Sequence, residues 1–252
     1  FSDHLELLLK IDTMPSKVSD LAKCENACAT SDAYKLDPLI KDSPEPFDRN
    51  KQMKIVNTGT IGKYYPRWGN REMTYLGHKY LCPVVEKGEF LHSFRNSYSQ
   101  KSAQPKIIIK GLNLLDACLD SDGNIIPGKS TLIITEGDTK RLKFLLSIID
   151  SQLAFFYLRE RYLASSYNLG TSFTKEMIND LPLPLLNAEQ KKPFISLVDN
   201  ILTITTSADY FENKGKQSKV KEYERQIDQM VYELYNLTPE EIEIVNSSIK
   251  QH

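Results

Sequence analysis

Cysteine is sparse in this sequence. Its four residues, Cys24, Cys28, Cys82 and Cys118, have the spacing of neither a zinc site nor a disulfide framework. No His stands near enough to Cys24 and Cys28 to complete a ligand set, so no metal ligand is assigned. Reduced thiols and a cytoplasmic location are expected. Histidine is equally rare (His4, His78, His92 and His252), and none has an acid partner placed by sequence. No apolar run approaches the ~20 residues that span a bilayer, so a membrane partner is not expected. No signal peptide is visible, and a sequence that opens at Phe1 in mid-pattern is expected to be a fragment.

Catalytic motifs are missing too. Gly59 and Gly62 flank Thr60 and Ile61, but no Gly-Lys-Ser/Thr follows, which argues against a phosphate loop. The nucleophile elbow and the His-Glu-x-x-His zinc motif are absent. Asp120, Asp122, Gly123 and Asn124 lack the distal Glu of a calcium loop and predict a hairpin turn instead. A nuclease domain would need two carboxylates and a Lys converging on magnesium, and no Pro-Asp…Asp/Glu-x-Lys pattern appears. No catalytic residue is assigned, and the chain is not expected to be an enzyme by itself.

What is present is an uneven distribution of charge. The 252 residues carry a formal net charge of −1, yet Arg49 to Lys110 holds twelve Lys/Arg against three Asp/Glu. From Ile227 to Lys250 five acids face one base. The asymmetry suggests a basic working surface and an acidic remainder, the alternative being an ordinary solvated charged face. Strands are predicted at Lys54 to Val56, Met73 to Leu76, Lys106 to Lys110 and Ser130 to Thr135. A short helix is expected from His4 to Ile11. After Asp138 the spacing turns helical: Lys140 to Leu163, Ala188 to about Thr206, Val220 to Leu237, and a start at Thr238-Pro239-Glu240-Glu241. The reading is an α+β chain, with a mainly β unit over residues 1–137 and a helical scaffold over 138–252.

Four blocks in order carry a family resemblance. They are IVNTGTIGKYYPRWG from Ile55 to Gly69, QPKII from Gln104 to Ile108, IIDSQLAFFY from Ile148 to Tyr157, and DLPLP from Asp180 to Pro184. Over roughly residues 15 to 245 the chain resembles the C-terminal specificity (target-recognition) domain of TaqI-like and Eco57I-like N6-adenine DNA methyltransferases and type IIG restriction-modification enzymes. That resemblance implies sequence-specific reading of double-stranded DNA for a methyltransferase domain of the same parent chain, with or without a fused endonuclease. This sequence has no Asn-Pro-Pro-Tyr motif and no S-adenosylmethionine loop. The implied cofactors, S-adenosylmethionine and, for a parent that cleaves, magnesium, therefore belong to the rest of the parent enzyme, with none assigned to this part. A helical protein-interaction module is the rival reading.

DNA binding needs cations for phosphates and forked or amide side chains for base edges. Asn57, Thr58, Thr60, Lys63, Tyr64, Tyr65, Arg67, Trp68, Asn70 and Arg71 fall within fifteen positions uninterrupted by an acid. Arg67 and Arg71 suit guanine, Asn57 and Asn70 suit adenine, and Trp68 suits either the core or a base stack. Lys106 and Lys110 share one face of their strand. Arg161, Asn168 and Thr171 extend the candidate surface along the polar stretch after the first long helix.

Overall fold

Three consecutive isoleucines, Ile107 to Ile109, explain much of the architecture. A strand alternates its side chains, so such a run stays dry only if both faces of its sheet are covered. In the computed structural model, which describes residues 4–44, 46–162, 166–167 and 170–250, all three are fully buried. Ile107 and Ile109 join a cluster with the long helices, while Ile108 meets Val56, Ile61 and Ile133 on the opposite face. Each such burial stabilises the fold by roughly 1.5–3 kcal/mol.

In chain order the elements begin with α1 (Leu5–Asp12), β1 (Ser16–Lys17), α2 (Val18–Leu21), β2 (Cys24–Asn26) and α3 (Thr30–Leu36). Then come β3 (Lys41–Asp42), β4 (Gln52–Val56), β5 (Met73–Tyr75), β6 (His78–Tyr80), β7 (Pro83–Glu86), α4 (Lys87–Ser93) and α5 (Ser97–Ser102). The central strands are β8 (Lys106–Lys110), β9 (Ala117–Asp120), β10 (Ile125–Pro127) and β11 (Thr131–Thr135). The remainder is α6 (Thr139–Ile149), α7 (Gln152–Arg161), β12 (Ser166–Tyr167), β13 (Gly170–Thr171), α8 (Lys175–Asn179), β14 (Pro182–Leu183), α9 (Ala188–Thr205), α10 (Lys214–Leu234) and α11 (Pro239–Lys250).

The fold is α+β and layered. An antiparallel sheet ordered β2-β11-β8-β9 has α6 against one face, with α9 on α6 and α10 on α9. Its other face meets a second sheet, β10-β4-β7-β3, in which β10 and β4 run parallel. The far side of that sheet is closed by Ala33 and Leu36 of α3, and by Phe90, Phe94 and Tyr98 of the α4–α5 segment. One cluster contains Leu8 of α1, Ile107, Ile134 and Leu145, so buried side chains run continuously across residue 137.

Two local expectations change. Asp120 to Asn124 is not a hairpin turn, because β9 pairs with β8 whereas β10 pairs with β4. The turn passes the chain from one sheet to the other. Asp120 holds it, accepting the Asn124 N–H at 3.1 Å and the Ile125 N–H at 2.9 Å. The helix expected from Lys140 to Leu163 is two helices, because the backbone turns extended at Ser151, whose hydroxyl accepts the Ala154 N–H and caps α7.

Candidate nucleic-acid interface

The β4–β5 connection, residues 57–72, is tethered from within. Asn57 uses both ends of its amide locally: its oxygen accepts the Gly59 N–H at 3.0 Å, and its nitrogen donates to the Thr74 carbonyl at 2.8 Å. The Thr60 hydroxyl accepts the Asn57 N–H at 3.0 Å, and the Thr60 carbonyl accepts the Arg67 N–H at 2.8 Å. Ile61 and Pro66 bridge across the loop. At its inner end sits Tyr64, fully buried, with a left-handed φ of 68° that is rare for a bulky residue. Its N–H is shared between the Ala117 carbonyl at 2.7 Å and Asp150 Oδ2 at 2.9 Å, while Asp150 Oδ1 accepts the Ala117 N–H at 2.7 Å. One carboxylate at the α6–α7 break therefore ties the loop to β9. Burial pushes the Asp150 carboxyl well above the usual range, against the pull of nearby Lys63.

The outer half of the loop faces α10. Lys63, Tyr65, Arg67, Asn70 and Arg71 line a cavity of about 530 Å³ together with Leu114, Asp116, Tyr210, Phe211, Gln217, Val220, Lys221 and Glu224. A second cavity of about 450 Å³ continues past Lys63, Lys221 and Glu224 to Gln152, Ser218, Arg225 and Asp228. Together they form one groove bearing Lys63, Arg67, Arg71, Lys221 and Arg225 against Asp116, Glu224 and Asp228. Asp228 is committed to the fold, accepting the Gln152 N–H at 2.8 Å and its side-chain amide at 2.9 Å. Tyr65 forms an aromatic floor with Tyr210 and Phe211, at ring separations of 5.1 and 5.8 Å. Lys110, half-buried with Asp116 at 4.0 Å, is pushed down by burial and feels the charges of Arg71 and Arg67.

The structure thus brings together five residues of the predicted loop and places Lys110 near them, but gives others to the fold. Thr60 and Tyr64 are buried, and Asn57 has no free amide edge to offer a base. Thr58 is half-buried and lies outside the groove lining. Trp68 is not a stacking wedge: its indole N–H donates to the Pro83 carbonyl at 2.8 Å, and its ring covers the Lys54 ammonium at 4.4 Å. Lys106, expected on an open face, is fully buried against Asp120 and also donates to the Ser102 carbonyl at 2.7 Å. Arg161 stands away from the groove, 3.5 Å from Asp12. Asn168 lies outside the described residues, as does the Thr171 side chain.

Sequence reading missed the α10 wall. Its signal was the run Lys214 to Arg225, five bases against two acids at the start of a helix. Gln217, Lys221, Glu224, Arg225 and Asp228 recur at helical spacing, hence on one face. Among the described residues no group of three or more His, Cys, Asp or Glu side chains is placed to hold a metal ion, and no helix is long and apolar enough to cross a membrane.

No family model and no curated sequence matches the chain. Solved structures do. The chain aligns over 92% of its length with the type IIL restriction-modification enzyme MmeI, whose structure is a complex with DNA, at a TM-score of 0.52 and 11% identity. The type IIG restriction endonuclease BpuSI aligns over 85% of the chain at a TM-score of 0.43 and 12% identity. The chain spans 37% of the first protein and 31% of the second. The likeness to MmeI shows that the fold is one found within a restriction-modification enzyme.

Proposed function

We propose that this chain is the DNA target-recognition part of a restriction-modification protein, reading sequence for a methyltransferase domain of the same parent. The observation that carries this reading is the groove. Lys63, Arg67, Asn70 and Arg71 approach from one side, and Lys221 and Arg225 approach from α10. Lysines supply point charges for phosphates, whereas the arginine forks and the Asn70 amide have the geometry of base-edge readout. The fold shared with MmeI, whose structure holds DNA, supports the same assignment. Methyl transfer, any cleavage, and the sites for S-adenosylmethionine and magnesium fall to other parts of the parent.

Fluorescence anisotropy on labelled duplexes tests this. Phosphate neutralisation releases counterions, so the logarithm of the binding constant should fall linearly with the logarithm of salt concentration. Affinity that does not change between low and moderate salt would overturn the reading. A random-duplex selection should also converge on one motif, although the chain alone binds it weakly.

A further inference from the structure

The β8–β9 connection has a shape that the fold does not require. Its base is closed by the Lys110 N–H donating to the Asp116 carbonyl at 2.8 Å. Gly111 enters it so closely against Ser130 that a Cβ there would lie 2.6 Å from the Ser130 carbonyl oxygen. One flank is fixed by a bridge between Leu112 and Ser172. At the tip the Leu114 N–H donates to the Leu112 carbonyl at 3.0 Å, with Asn113 between them at a φ of 69°. That is a γ-turn of the strained, positive-φ kind. It holds Leu112 and Leu114 outward at 41% and 48% exposure, while the next residue, Leu115, is buried. A stiff turn presenting two bare leucines costs hydration free energy and contributes no core contact. Leu114 lines the same groove as Lys63, Arg67 and Arg71, and Lys110 stands at the base of the turn.

We propose that this turn is an apolar wedge that enters the bound duplex between two base pairs, led by Leu114, and kinks it. The proposal rests on the DNA-binding reading above. Charge selects the occupant, since an apolar tip set among Lys63, Arg67, Arg71 and Lys221, against two acids, Asp116 and Glu224, suits a polyanion with a stacked interior better than an apolar protein face. Inserted leucines unstack a base step, and the resulting bend brings more phosphate onto the flanking cations.

The test uses the duplex best bound by the unaltered chain in a random-library selection, carrying donor and acceptor dyes at its ends. The unaltered chain should shorten the end-to-end distance. Leu114→Ala should abolish that shortening and weaken binding about tenfold, since the bend and its extra contacts are lost. Leu114→Met should restore both. On the same duplex made flexible by a two-base mismatch, Leu114→Ala should recover most of its affinity. Arg71→Ala should weaken binding to the straight and the mismatched duplex alike. A Leu114→Ala protein that still bends DNA, or that binds unchanged, overturns the wedge while leaving the groove in place. If the unaltered chain selects no duplex, the DNA reading itself fails and the wedge falls with it. Loss of association with a partner protein, with DNA bending intact, would make the turn a protein contact instead.

Discussion

At the scale of single residues, the loop depends on what is missing from Gly62. A Cβ at that position would lie 2.9 Å from Nε of Arg67 and 3.2 Å from the Tyr65 carbonyl oxygen. The absent side chain thus gives Arg67 its path across the loop. Arg71 is exposed beside it. In the parent enzyme, Arg67→Ala or Arg71→Ala should relax discrimination at one base position and cost roughly 1–3 kcal/mol on the cognate site. Lys63→Ala should weaken all sequences alike and lower the salt slope by about one unit. Binding to a library of site variants separates these outcomes, and even losses across the library for both arginines would make them phosphate contacts. Lys106 behaves differently. Replacing it by Met strands the buried Asp120, so the melting transition should fall by the equivalent of about 3–5 kcal/mol, with the salt slope of DNA binding unchanged. A Lys106→Met protein that melts normally would contradict the buried pair.

At the scale of elements, α10 sets how the groove responds to pH. Glu224 is half-buried on its inner face, and burial pushes its carboxyl up, helped by Asp228 and Asp116 and opposed by Lys63 and Lys221. Asp228 is raised in the same way by burial, against Lys63. A carboxyl whose value is raised on folding binds its proton more tightly in the folded state. Its contribution to stability is complete below the ordinary value, 4.5 for Glu and 3.8 for Asp, and is lost as pH rises through the raised one. On the DNA-binding proposal, the same ionisation would place negative charge opposite the phosphates. DNA affinity should therefore decline as pH rises above 4.5 through that window. Glu224→Gln should flatten the decline and tighten binding at neutral pH by about threefold, the size of one partly screened charge interaction. Anisotropy titrations across pH check this, and an unchanged profile in Glu224→Gln would place the titrating group elsewhere.

Legibility divides along the same lines. The strands at Lys54, Met73, Lys106 and Thr131 are readable because short β-branched or aromatic runs bounded by turn residues have few other solutions, and α9 because Asn187 and Gln190 form a reciprocal capping box. The short helices α3, α4 and α5 were not. Their few turns are held by packing against the second sheet, which leaves little periodicity in the chain itself. In the site, charge marked Lys63, Arg67 and Arg71. Charge could not tell Lys106 from Lys110, because only the β8–β9 register sets the buried Asp120 opposite Lys106 and leaves Lys110 half-buried.

For the whole molecule, the groove is shared between distant parts of the sequence: the β4–β5 connection, the β8–β9 turn and α10. It exists only when the helical layer is seated on the sheets, so the residues 57–72 alone should not bind DNA specifically. The chain spans 37% of MmeI. Incubated with S-adenosylmethionine and DNA, it should transfer no methyl group, and calorimetry should detect no binding of that cofactor. Heat released in a saturable way would show that the chain carries part of the methyltransferase site.

The tether between Asp150 and Tyr64 has a consequence for how such a protein could acquire a new target. It splits the β4–β5 connection into an inner arm, anchored at Tyr64 to β9 and the α6–α7 corner, and an outer arm from Arg67 to Arg71. In that arm Trp68 stays tied to Pro83, so on the DNA-recognition proposal the exchangeable positions are the groove-lining Asn70 and Arg71. Exchange at those positions would leave the tether intact, whereas a change at Asp150 would loosen the arm whatever side chains it carries.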